Sequence, residues 1–165
     1  HNNASVGTIY ISSIEKHDST EYKLYSDVHI DGIVKVRVEE SITNTYVYGF
    51  LHQASHHRHV HHISDHYNSI WHENDGYHSS EGDWTNSDEM ITHSVLQFYF
   101  KEPTQANWVY SEQSQKVLAL TTLANRKYKL VLPNGNETIF SYGDNGLQTV
   151  ESNTSWGQVT FRLKQ

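Results

Sequence analysis

The run YKLYSDVHIDGIVKVRVEE, residues 22–40, constrains the fold most. Two extended segments flank Asp31-Gly32, and after it Val34, Val36 and Val38 alternate with Lys35, Arg37 and Glu39. Alternation of period two buries one face of a strand and wets the other. Asp-Gly between such runs suits a two-residue hairpin turn, because both central positions need positive φ. The second half repeats the pattern in YKLVLPNGNETIFSYGDNG, residues 128–146, around Asn134-Gly135, with Pro133 stopping the first strand. In GQVTFRLKQ at the end, Val159, Phe161 and Leu163 share a face. Further strands are expected at Val6–Ile14, Tyr46–Phe50, Val95–Phe100 and Lys116–Thr121. Eight or more short strands, with Gly, Asn and Asp between them and no long amphipathic helix, predict an all-β chain. The expected architecture is an antiparallel β-sandwich of jelly-roll or Ig-like type, in one domain spanning residues 1–165.

Between those flanks hydrophobic periodicity fades. From His52 to His93 the residues are mostly His, Ser, Asp, Glu, Asn and Gly. This reads as a long His-rich central insertion, and ordered segments of that kind commonly carry function. Thr85-Asn86-Ser87-Asp88 within it could cap a short helix. Six of the eleven residues in HHRHVHHISDH, His56–His66, are histidine. The run is interrupted and internal, so it is native sequence and not a purification tag.

Neutral imidazole is the commonest protein ligand for transition metals. On a strand, His57, His59 and His61 project from one face. On a helix, His62 and His66 become neighbours one turn apart, as do His52 and His56. His57, His59, His61, His62, Asp65 and His66 are therefore the candidate metal ligands, with Zn²⁺ or Cu²⁺ the expected ion. His72, His78, Glu73, Asp75, Glu81 and Asp83 are further candidates. NDGYHSSEGDW, residues 74–84, offers oxygen donors in a Gly-bearing loop, which suits Ca²⁺. Protons compete with metal in this reading. With a reference pKa of about 6.5, close imidazoles would charge together on acidification and repel one another.

His59-Val60-His61 followed by Asp65 resembles the first half of the cupin metal motif, H-x-H-x₃₋₄-E. Here Asp stands where Glu is usual, the flanking glycines are missing, and there is no second cupin motif. The resemblance implies a double-sheet β fold binding metal through the H-x-H pair. His1, were its amine free, is similar to the N-terminal ligand of the copper monooxygenases that cleave polysaccharides. That likeness implies a copper or iron enzyme using His1 or the H-x-H pair.

Trp71, Trp84, Trp108 and Trp156, with eleven tyrosines, would suit carbohydrate stacking or would anchor the insertion to the sheet. No P-loop, Rossmann, G-x-S-x-G or H-E-x-x-H pattern occurs, which leans away from an enzyme. A net charge of −7 without a basic run argues against nucleic acid. No apolar stretch reaches the ~20 residues that span a bilayer as a helix. The chain has no cysteine, which removes disulfides and thiolate sites. Asn3-Ala4-Ser5, Asn136-Glu137-Thr138 and Asn153-Thr154-Ser155 are glycosylation sequons and point to a secreted or cell-surface glycoprotein. The expected function is non-enzymatic metal binding by such a domain. The alternative is a subunit of an extracellular fibre or surface assembly, an oligomer whose contacts depend on metal or pH.

Overall fold

A computed structural model describes residues 7–30, 35–82, 90–154 and 157–163. The chain is all-β, with two antiparallel sheets of six strands and almost no helix. It divides into two compact units, His1–Glu89 and Met90–Gln165, each carrying one sheet. Among the described residues no helix is long and apolar enough to cross a membrane.

The first unit comprises β1 (Gly7–Glu15), β2 (Ser19–Ile30), β3 (Val36–Val47), β4 (Phe50–Val60), β5 (Ser64–Glu73) and β6 (Gly76–Ser79). The second comprises β7 (Trp108–Ser111), β8 (Lys116–Leu123), β9 (Lys127–Val131), β10 (Glu137–Gly143), β11 (Gly146–Thr154) and β12 (Gly157–Arg162). Both sheets are meanders, in which consecutive strands lie side by side. Neither sheet order contains the Greek-key crossover that jelly-roll and Ig-like folds use.

The expected strands around Asp31-Gly32 are β2 and β3, paired from Ser19↔Val47 to Ile30↔Val36. The turn itself lies outside the described residues, as do Val34 and the Thr85–Asp88 cap. The expected Tyr46–Phe50 strand is divided: Tyr46 and Val47 end β3, Phe50 begins β4, and Tyr48-Gly49 between them form a turn with φ of 50° and 84°. At Asn134-Gly135 the hairpin is confirmed but the loop is longer than two residues. Gly135 N–H donates to the Leu132 carbonyl and Leu132 N–H to the Asn136 carbonyl, both at 2.8 Å. Only Gly135 of the loop has positive φ, 83°, so Pro133-Asn134-Gly135 form a three-residue connection closed by the glycine.

Val95–Phe100 is not a strand. Val95–Tyr99 winds as a 3₁₀ helix with Leu96 and Phe98 buried. Two of its first N–H groups are taken by side chains, Ser94 N–H donating to Gln97 Oε1 and Leu96 N–H to the buried Glu112 carboxylate, while the pairing with β7 is limited to an isolated bridge between Ser94 and Tyr110. A period-two apolar pattern alone does not show where the backbone donors go.

The largest correction concerns His52–His93. Over its described residues up to Gly82, the segment forms most of β4 and all of β5 and β6, integral strands of the first sheet. The inward positions of these three strands include Leu51, Ala54, His56, Val60, Asn68, Ile70 and Tyr77, all buried. Two inward polar residues, His56 and Asn68, conceal the alternation. A bulge hides it further, because Thr45 faces Gln53 while Tyr46 faces Leu51, which leaves His52 as the extra residue.

The second unit packs around Phe98, Val109, Leu130, Phe140 and Val150, each no more than 2% exposed. Phe98 and Phe140 meet edge to face, centroids 5.3 Å apart. Phe140→Ala should cost about 3–5 kcal/mol of unfolding free energy, measured by denaturant titration.

At the β8–β9 turn, Arg126 sits at φ 55°, a conformation bulky residues rarely adopt. Its guanidinium holds both oxygens of Glu102, and Tyr128 donates a further hydrogen bond to that carboxylate. The Arg126 hydrogen bond holds the Glu102 pKa below its ordinary value. A lowered carboxylate pKa stabilises the fold above the unfolded value of about 4.3, and the contribution fades as pH falls through the folded value. The difference in Tm between the native chain and Glu102→Gln should be largest near neutral pH and shrink below about pH 4.

Candidate functional site: the outer face of the first sheet

The pairing of β2 to β5 lays side chains in straight rows across the sheet. One row runs Asp27, Glu39, His59, Asp65; the next runs Tyr10, Tyr25, Ser41, His57, Tyr67. Because side chains alternate along each strand, both rows occupy one face. Tyr10, Tyr25 and Tyr67 are exposed there.

His57 and His59, two residues apart on β4, converge on a single oxygen. His57 Nε2 donates to Asp65 Oδ1 at 2.6 Å, and His59 Nδ1 to the same atom at 3.3 Å. Asp65 stands directly opposite His59 on β5. The hydrogen bond from His57 is the main cause that holds the Asp65 pKa below the ordinary aspartate value; desolvation opposes it, and the bond from His59 adds to the lowering. The His61 ring lies 4.6 Å from that of His59, edge to face. His61 Nε2 donates to Glu39 Oε2 at 2.7 Å. Glu39 also accepts from Tyr25 and Arg37, and these partners, His61 first, lower its pKa. Arg37 in turn grips both oxygens of Asp27, at 2.9 and 2.8 Å. The face is a connected network of imidazoles, carboxylates, a guanidinium and a phenol.

The expected ligands are thus divided. His57, His59 and Asp65 are together, and His61 adjoins them. His62 sits in the β4–β5 turn at φ 62°, its ring 6.4 Å from that of His61. His66 is on the opposite face: it pairs across strands with Arg58, and its ring lies 6.5 Å from that of buried His56. The helical reading that joined His62 to His66 fails because both flanking segments are strands. Glu39, absent from the expected set, was within reach of the alternation in β3, which places it on the wet face with Arg37. Its partnership with His61 required the register of β3 on β4. His1, Asp83, Trp84 and Trp156 lie outside the described residues.

A second cluster stands at the β5–β6 turn. Among the described residues, Glu73, Asp75 and His78 bring three donor atoms within 4.8 Å of one another. His78 Nε2 donates to Asp75 Oδ1 at 2.8 Å and lowers the aspartate's pKa. Trp71 stacks on His78 at 5.9 Å and donates its indole N–H to Glu73. Two carboxylates and one imidazole form a harder donor set than His57, His59 and Asp65. It occupies the first part of the loop expected to suit Ca²⁺, whereas Glu81 lies beside His66.

All-β topology and this histidine-bearing face describe a class, a meandering β protein with a polar, histidine-rich sheet face. The chain belongs to the family described as Domain of unknown function (DUF6134), which matches residues 1–164. No curated protein and no solved structure matches it significantly.

The geometry yields a direct prediction. In metal-free protein, the Asp65 carboxyl carbon followed by NMR should titrate below an ordinary aspartate, and His57→Ala should raise its pKa toward the ordinary value. An unchanged Asp65 titration would mean that the His57 contact does not exist in solution.

Proposed function

We propose that this chain is a metal-binding β module that takes one divalent transition ion, Zn²⁺ or Cu²⁺, at His57, His59 and Asp65, with His61 able to close a fourth position. The observation that carries this reading is the convergence of two imidazoles on one carboxylate oxygen. Two donors on a tetrahedral zinc stand roughly 3.3 Å apart. His59 and Asp65 already have that spacing at 3.3 Å; His57 needs to open from 2.6 Å, and the two imidazole nitrogens, which stand more than 4.8 Å from each other, must close toward each other around the ion. The ligands sit on paired strands, which hold them more precisely than a loop would. Glu39 suits the role of an outer partner that orients His61. The reading places the protein outside the cell, where the exposed Asn153 would be open to glycosylation. It ascribes no catalysis to the chain.

A second reading assigns the ion to Glu73, Asp75 and His78, favoured by their mutual approach within 4.8 Å. Calorimetric titration with Zn²⁺ separates the two. His59→Ala and Asp65→Asn should each weaken binding about tenfold or more, an effect at least as large as the loss of a second-shell partner. His62→Ala and His78→Ala should leave this site intact. Loss of binding in His78→Ala alone would move the site to the β5–β6 turn. Elemental analysis with size-exclusion chromatography, with and without chelator, completes the test. Metal lost together with an oligomer would instead support metal-bridged assembly.

A further inference from the structure

The inner face of the first sheet holds a group that the outer site does not use. His56 is 1% exposed, in a face that also buries Val38, Leu51, Ala54, Val60 and Ile70 along with the polar Asn44 and Asn68. Its Nε2 donates to Glu40 Oε1 at 2.7 Å. In the neutral ring, that bond places the proton on Nε2 and the lone pair on Nδ1. Nδ1 is buried and has no partner among the described residues. A buried polar atom left unpaired is costly, and a native protein relieves it with a bound water or an ion. An imidazole held by a carboxylate through one nitrogen, with the other free, is the arrangement typical of metal-bound histidine.

The neighbours on this face supply the rest of a donor set. The His66 ring lies 6.5 Å from the His56 ring, and His66 Nε2 stands 3.4 Å from Glu81 Oε1. The latter spacing matches the roughly 3.3 Å edge between two donors on a tetrahedral ion. Two imidazoles on one such ion stand roughly 5 Å apart between centroids, so the His66 ring must approach His56 by roughly 1 Å. Its side chain is 50% exposed and that of Glu81 48%, which leaves room for this movement and an entry path from solvent. Asn68, directly opposite His56, has its amide nitrogen 3.2 Å from His66 Nε2 and would turn to release that atom. Arg58 lies between Glu40 and His66 in the register. Glu40 and Glu81 together offset the charge it adds beside a cation.

We propose that His56 Nδ1, His66 Nε2 and the Glu81 carboxylate form a second, inner-face site for a divalent transition metal, in which Glu40 is the positioning residue for His56. The site closes around its ion and is independent of the outer one, because the two lie on opposite faces of the same strands.

The test uses the full chain carrying His57→Ala, His59→Ala and His78→Ala, which disables the outer face and the β5–β6 turn. This variant should bind one Co²⁺ per chain with the visible absorption of a tetrahedral ion. Adding His66→Ala, a change at a half-exposed position, should weaken binding tenfold or more while far-UV circular dichroism stays native. Glu40→Gln should weaken it about 10–100-fold without changing the stoichiometry. Zn²⁺ should shift His56 Nδ1 in long-range ¹H–¹⁵N spectra while Nε2 stays protonated. Absence of Co²⁺ uptake by the triple variant, uptake indifferent to His66→Ala, or an unshifted His56 Nδ1 would overturn the proposal. The outer-site reading stands or falls separately, on the native chain and His59→Ala.

Discussion

The antiparallel register of β2, β3, β4 and β5 is the constraint on which everything else in the first unit depends. A shift of one residue in any pairing would carry every side chain of that strand to the other face. Glu39 would leave His61, Asp65 would leave His57 and His59, and His56 would enter solvent. The register is itself held by burial: Val38, Leu51, Ala54, Val60 and Ile70 face inward together only in this alignment. Apolar burial on one side therefore positions the polar chemistry of the other. The bulge at His52 reconciles the two ends of β4, letting Leu51 and Ala54 both point inward although they are three residues apart.

Imidazole and carboxylate are paired throughout this sheet. His57 and His59 meet Asp65, His61 meets Glu39, His56 meets Glu40, and His78 meets Asp75. Such pairing orients the rings and fixes their protons, which is also what prepares imidazole for metal. The pairs are mostly exposed, so as ion pairs they add little stability. Their spacing carries more information than their energy. Among its described residues the second unit holds no comparable face, and its conspicuous charge pair, Glu102 with Arg126, secures a turn.

Much of this was legible from residue order alone. Period-two alternation in β3 and the terminal strands, Asn134-Gly135, and the absence of helical periodicity led to an antiparallel all-β chain with hairpin connections. His57 and His59 were readable as same-face neighbours because alternation along a strand is a local property. Several features were not local. The hairpin of β4 and β5 was obscured by His56 and Asn68 at buried positions, since a pattern method counts any polar residue as outward. Val95–Tyr99 alternates like a strand, yet the carboxylate of Glu112, distant in sequence, takes a backbone donor and favours a 3₁₀ turn.

The sequence by itself determined the class of structure and the supply of ligands: β-strands, tight polar turns, abundant imidazole and no thiol. These follow from short-range sterics and from the intrinsic chemistry of the side chains. Only the tertiary structure decided which imidazoles meet which carboxylates. It divided a run that reads as one cluster into an outer set, His57, His59 and His61 with Asp65 and Glu39, and an inner set, His56 and His66 with Glu40 and Glu81. The reason is physical: strand pairing brings residues many positions apart into contact, while the pleat sends adjacent residues to opposite sides of a sheet.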